Sequence, residues 1–156
     1  MIDQAPIRIG EYRVAKKSGS LRAILGSCVG VALIDDQQQL AGLAHILLPD
    51  SGGRSNTKKD QLGVGRYADT AVPIMVRLMK RMGRVTSPLA AYLAGGANMF
   101  GSRVDETIGD LNIRAAERAL HQLQIKIVAK QCGGQCGRRI AVDVATGQVT
   151  IEGIGT

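Results

Sequence analysis

The chain has 156 residues, 45% hydrophobic and 21% charged, which is enough for one globular domain with a real core. Its formal charge of +7 fits either a solvated basic surface or an acidic protein partner. Nucleic acid is disfavoured, because the basic residues are scattered and one Phe, three Tyr and no Trp make a poor base-stacking platform. No apolar run reaches the roughly 18 residues of a membrane span, so membrane insertion is not expected.

In chain order, Met1 to Pro6 does not read as a signal peptide. Ile7 to Ala15 alternates in the manner of a strand broken at Gly10, and Lys16 to Ser20 is a turn. Leu21 to Leu25 is a short strand closed by Gly26-Ser27. Cys28 to Ile34 is almost wholly apolar and predicts a strand buried on both faces. A short polar loop at 35–39 makes Leu40 to Leu48 its antiparallel neighbour, carrying His45. Pro49 stops this strand. The polar loop that follows to Gly65 is long enough to act as a lid or a substrate-reading rim, and Ser51 near its start is a candidate substrate-binding residue.

A first helix is expected with Asp69 or Thr70 as its cap, Pro73 in its first turn and Gly83 at its end. Ala71, Ile74, Met75, Leu78 and Met82 would face inward, with Arg77, Lys80, Arg81 and Arg84 in water. Leu89 to Ala94 is a strand, followed by the glycine-rich stretch 95–101. A second helix runs from about Leu111 to Leu123, with Ile113, Ala116, Ala119, Leu120 and Leu123 inward. Ile125 to Ala129 is a strand, 132–139 a glycine-rich turn, and Ile140 to Val144 with Gln148 to Ile154 a hairpin. The fold class is α/β in the α+β sense, with mixed or antiparallel strands and two main helices in one domain spanning 1–156.

The chemistry centres on Cys28 and His45. A thiol at a strand start and an imidazole on the next strand can meet across the sheet as nucleophile and base. Both residues also have bland readings, a cysteine as a small hydrophobe and a histidine as a satisfied core residue, and pattern alone leaves these open. Gly26-Ser27 favours chemistry. It allows close backbone approach, and the Ser27 and Cys28 N–H groups suit an oxyanion. His121, among Arg118 and Gln122, reads as a surface residue.

Cys132 and Cys136 have three intervening residues, one more than the usual redox motif, and no second ligand pair for zinc, so a tight turn is the default. No metal and no cofactor are expected. Three cysteines without framework spacing indicate reduced thiols and the cytoplasm. Gly95 to Gly101 lacks the ending of a phosphate-binding loop. Asn98 within it either holds a turn or binds a substrate amide. Phe100 is either a core residue or a docking knob.

Several short stretches together resemble CheD, the chemoreceptor glutamine deamidase family. They are Ile9-Gly10-Glu11-Tyr12, Leu25 to Val29, Ala44-His45, Leu48 to Gly53, Arg66 to Ala71, Gly95 to Phe100, Ile108-Gly109 and Gly133-Gly134. The resemblance implies Cys28 as nucleophile, His45 as base, and a β-sandwich with outer helices, similar to the catalytic domain of cytotoxic necrotizing factor toxins. It implies glutamines of methyl-accepting chemotaxis receptors as substrate and the phosphatase CheC as partner. Family members often carry a threonine six residues before the cysteine as a third catalytic group. Here that position is Arg22 (main chain): either a backbone carbonyl near it orients His45 or the site is weakened, and Ser20 is a poorer substitute. The alternatives are a non-catalytic adaptor that binds CheC or chemoreceptors, and a redox or metal protein built on Cys132 and Cys136.

Overall fold

A strand that is apolar on both faces needs a packed layer on each side of its sheet. The chain supplies both layers. A computed structural model describes residues 5–52, 61–83, 88–101 and 103–155. Among these lie β1 (Tyr12–Lys16), β2 (Ser20–Leu25), β3 (Val29–Asp35), β4 (Leu40–Ile46), a 3₁₀ helix (Gln61–Arg66) and α1 (Ala68–Met82). They are followed by β5 (Ala90–Gly95), α2 (Ile108–Gln122), β6 (Lys126–Cys132), β7 (Gly137–Asp143) and β8 (Gln148–Ile154). The strands form two sheets, ordered β1-β4-β3-β5-β6 and β2-β7-β8. Every pairing is antiparallel except that of β5 with β6, which α2 connects. The architecture is the expected α+β class with two main helices.

One face of the large sheet packs on the helices. Val29, Val31 and Leu33 meet Val72, Met75 and Met79 of α1 together with Ala116, Ala119 and Leu120 of α2. The other face packs on the small sheet, where Cys28, Ala32 and Ile34 share a core with Leu21, Ala23, Leu25, Ile140 and Val142. All seven residues of β3 and all seven of β4 are buried. The two strands are therefore the centre of the molecule.

Five local expectations are corrected. Residues 8–11 form a turn, and the first strand begins only at Tyr12. Helix α1 has Tyr67 at its N-cap with no side-chain cap. Asp69 and Thr70 lie within its first turn, where the Thr70 hydroxyl donates to the carbonyls of Val64 and Tyr67. Its buried stripe is Ala68, Ala71, Val72, Met75, Val76 and Met79, while Ile74 and Leu78 flank a groove beside Tyr12. The stripe is set by Gly42 on β4, where a Cβ would stand 2.9 Å from Met75 Cγ; the missing side chain seats Met75 at the centre. Helix α2 begins three residues early, because Thr107 and Asp110 form a reciprocal capping box. Leu123 is exposed rather than inward. Arg84 and the loop over 53–60 lie outside the described residues.

The first turn of α2 crosses the end of β5 at Gly96 and Gly109. A Cβ on Gly109 would sit 2.3 Å from the Gly96 carbonyl oxygen and 2.6 Å from its carbon. Gly96 in turn donates its N–H to the Cys28 carbonyl at 2.8 Å. The helix is thereby registered against the strand that opens at Cys28. A glycine-to-alanine change inside a helix ordinarily stabilises it by about 0.5–1 kcal/mol. At Gly109 the sign reverses, because the obstacle is backbone. Gly109→Ala is expected to lower unfolding free energy by about 1–3 kcal/mol, read as a reduced urea midpoint.

Candidate active site

Cys28 stands immediately before β3. The β3–β4 ladder pairs Val29 with Ile46 and Gly30 with His45. Directly opposed residues of an antiparallel pair point to the same face, and so do residues two apart on one strand. Cys28 and His45 therefore share a face as diagonal neighbours across the two strands. Their face is the one toward the small sheet, as the packing of Ala32, Ile34, Ala41 and Leu43 there confirms. Gly30, opposite His45, brings no side chain into this space. A Cβ there would lie 2.9 Å from Leu25 Cδ1 and 3.4 Å from Ile140 Cγ2.

The imidazole is oriented by main chain. His45 Nδ1 lies 2.9 Å from the carbonyl oxygen of Ile7. A carbonyl can only accept, so Nδ1 carries the proton and the neutral ring keeps its lone pair on Nε2. The Ile7 N–H donates to the Arg22 carbonyl at 2.8 Å. The carbonyl on the ring is thus that of Ile7, and the Arg22 carbonyl anchors Ile7 from the small sheet. The His45 backbone donates to the Glu11 carbonyl at 3.0 Å and accepts from Gly10 N–H at 2.8 Å. The turn that presents Ile7 is closed by Glu11, whose N–H reaches the Arg8 carbonyl at 2.9 Å. Its carboxylate accepts from Arg8 N–H at 3.0 Å.

The remaining sequence candidates divide. Ser27 adjoins the thiol, and among the described residues no acceptor takes the Ser27 or Cys28 N–H. Asn98 lies in a turn fixed by main chain, its N–H donating to Gly134 and its carbonyl accepting from Gly101. Ser51 is buried and tied to α1. Its N–H and hydroxyl donate to the two Asp69 carboxylate oxygens at 3.0 and 2.7 Å, so its hydroxyl hydrogen is already committed. Phe100 is 98% exposed, which excludes the core reading. Beside it Met99 covers Gly26, where a Cβ would stand 3.3 Å from Met99 Cγ. Cys132 and Cys136 are free thiols at the junction of β6 and β7, and burial pushes Cys132 up to about 11.

Sequence reading missed two contributors. Ile7 acts through its carbonyl, which no side-chain motif signals. Asn112 has zero exposure and donates from Nδ2 to the carbonyls of Ser27 and Leu47, both at 3.0 Å. Its available signal was an amide within the apolar stripe of α2, beside Ala116 and Ala119.

Burial sets the charge state of the pair, with Cys28 5% and His45 4% exposed. Burial pushes the Cys28 thiol above its ordinary 9.0. Burial also draws His45 below its ordinary 6.5, opposed by the Ile7 carbonyl and the charge of Glu11. Near neutral pH the resting site therefore holds a thiol and a neutral imidazole. Because the folded value of His45 is depressed, the unfolded chain binds the extra proton first as pH falls. Stability attributable to His45 is complete above 6.5 and is lost as pH drops toward the folded value. Unfolding free energy is expected to fall as pH drops below 6.5, and His45→Gln should remove a slope of at most about 1.4 kcal/mol per pH unit. Identical slopes in urea titrations of the two proteins would contradict this.

The family model described as "CheD chemotactic sensory transduction" matches residues 47–153. The chain is 42% identical over 155 residues to the probable chemoreceptor glutamine deamidase CheD of Desulforamulus reducens, covering 96% of this chain and 90% of that protein. It is 38% identical over 150 residues to the chemoreceptor glutamine deamidase CheD of Thermotoga maritima, covering 96% and 91%. With the probable chemoreceptor glutamine deamidase CheD of Thermococcus kodakarensis it shares 39% identity over 155 residues, covering 96% and 92%. The chain belongs to the CheD family.

Proposed function

We propose that this chain, as one domain, is a cytoplasmic protein-glutamine deamidase that converts glutamine side chains of methyl-accepting chemotaxis receptors to glutamate. The observation that supports it most directly is the shared face of Cys28 and His45, with Nδ1 held by Ile7 and Nε2 left basic. Nε2 removes the Cys28 proton as the sulfur bonds to the glutamine Cδ. The oxyanion that forms is stabilised by the Ser27 and Cys28 N–H groups. On collapse the C–N bond breaks, and His45 returns its proton to the departing ammonia. A water deprotonated by His45 then attacks the thioester carbon, and the thiolate leaves to be reprotonated. The products are glutamate and ammonia. A methyl ester at the same carbon fits the same sequence of steps.

The net charge of +7 favours encounter with acidic receptor helices. Asn98 and Ser51 are the proposed substrate-binding residues, Ser51 with its hydroxyl held by Asp69 of α1. The exposed Phe100, with Met99 and Val104 near it in sequence and also exposed, is the proposed docking point for a CheC-type phosphatase.

Near-closure of the pair favours a second reading, a non-catalytic adaptor for the same partners. Mass spectrometry of receptor fragments separates the two. The enzyme adds about one dalton per converted glutamine, and Cys28→Ala abolishes the gain. His45→Ala is expected to reduce the rate at least about 100-fold. An undiminished gain in Cys28→Ala, or none with active wild-type preparations, would falsify the deamidase reading.

A further inference from the structure

The β3–β4 ladder ends one step short of the thiol. Its last paired rung is Val29 with Ile46, and the next would have been Cys28 with Leu47. There β4 turns away, and the Leu47 N–H donates instead to the Arg66 carbonyl at 2.9 Å. Sheet hydrogen bonding between the two strands therefore stops before the thiol. Asn112, reaching up from α2, spans the gap. Both groups on its Nδ2 are carbonyl oxygens, so the amide NH₂ must face them. One hydrogen goes to Ser27, the residue before Cys28, and the other to Leu47, two residues beyond His45.

Three features separate this contact from ordinary core packing. Asn112 is the polar member of a buried stripe otherwise made of Gly109, Ala115, Ala116, Ala119 and Leu120. Its Oδ1 is buried with no hydrogen-bond partner among the described residues, so the amide stands there at the cost of an orphaned acceptor. The helix that carries it is itself registered on the Cys28 strand end, because Gly109 abuts Gly96 and Gly96 N–H holds the Cys28 carbonyl.

We infer that Asn112 is a positioning residue for the proposed deamidation. Its amide replaces the missing ladder rung and sets the separation of the Cys28 sulfur from His45 Nε2. This inference rests on the Cys28–His45 reading given above. Losing the clamp frees the ends of two strands that no longer bond each other at that level. A displacement of about 1 Å between reacting groups costs up to about 100-fold in rate.

The experiment measures how strongly the two residues are coupled. The readout is the factor by which His45→Ala slows alkylation of Cys28 by iodoacetamide, with Cys28→Ser as the blank. It is taken in wild type, in Asn112→Ala, in the isosteric Asn112→Asp, and in Leu120→Ala, which opens a core cavity elsewhere on the same helix. Circular dichroism and melting establish that each protein is folded.

The factor is expected to fall toward unity in both Asn112 proteins and to persist in Leu120→Ala. Deamidation kcat should drop about 10- to 100-fold in the Asn112 proteins while KM stays within about threefold. A wild-type factor of one sinks the Cys28–His45 pairing itself, and this inference with it. A large wild-type factor that survives in the Asn112 proteins sinks the inference alone. Failure of both Asn112 proteins to fold would make the residue a determinant of the fold and would equally overturn the positioning role.

Discussion

The antiparallel register of β3 against β4 is the constraint on which the rest depends. Pairing Gly30 with His45 sends the imidazole to the small-sheet face, the face that Cys28 also occupies. Side chains alternate with a period of two, so a slip of one residue would turn His45 into the helix-side core. It would also turn Ala41 and Leu43 away from the partners they now have in the sandwich core. Burial of both strands on both faces makes such a slip prohibitive. The geometry of the pair is thus protected by the same apolar packing that stabilises the fold.

The two layers play different parts. The small sheet and the N-terminal turn act on the imidazole, through the main-chain relay from Arg22 to Ile7 to His45. The helical layer acts on the strand ends, through Gly109 against Gly96 and Asn112 between Ser27 and Leu47. A main-chain carbonyl as the orienting group holds the tautomer without bringing a full charge into the interior. Glu11 supplies a more distant charge of the sign that favours an imidazolium. The resting pair is left neutral, which suits a site enclosed among aliphatic side chains, where a preformed thiolate–imidazolium pair would be costly to desolvate.

The sequence was most legible where the chemistry is local. Two long apolar runs and a five-residue polar loop between them were enough to predict an antiparallel pair, and Cys28 and His45 stood out by type and position. The helices were legible as amphipathic stripes, with the inward face of α2 correct up to Leu123, but the phase of α1 was not. Ile74 and Leu78 have the same hydrophobicity as residues that are buried, and only the gap left at Gly42 decided which side of α1 turned inward. The alternation of Ile7-Arg8-Ile9 resembled a strand because a tight turn with one buried and two exposed positions yields the same pattern. The exposure of Phe100 was likewise undecidable, since core and docking aromatics are identical by residue type.

By itself the sequence determined what reactive groups exist, which strands carry them, and that an α+β fold surrounds them, because hydrophobic periodicity and turn chemistry are local properties. The tertiary structure alone decided who touches the imidazole and what bridges the strand ends. Those roles belong to the carbonyls of Ile7, Ser27 and Leu47, and carbonyls are the same in every residue. Only their placement by long-range pairing, across separations of 38, 85 and 65 residues, makes them specific.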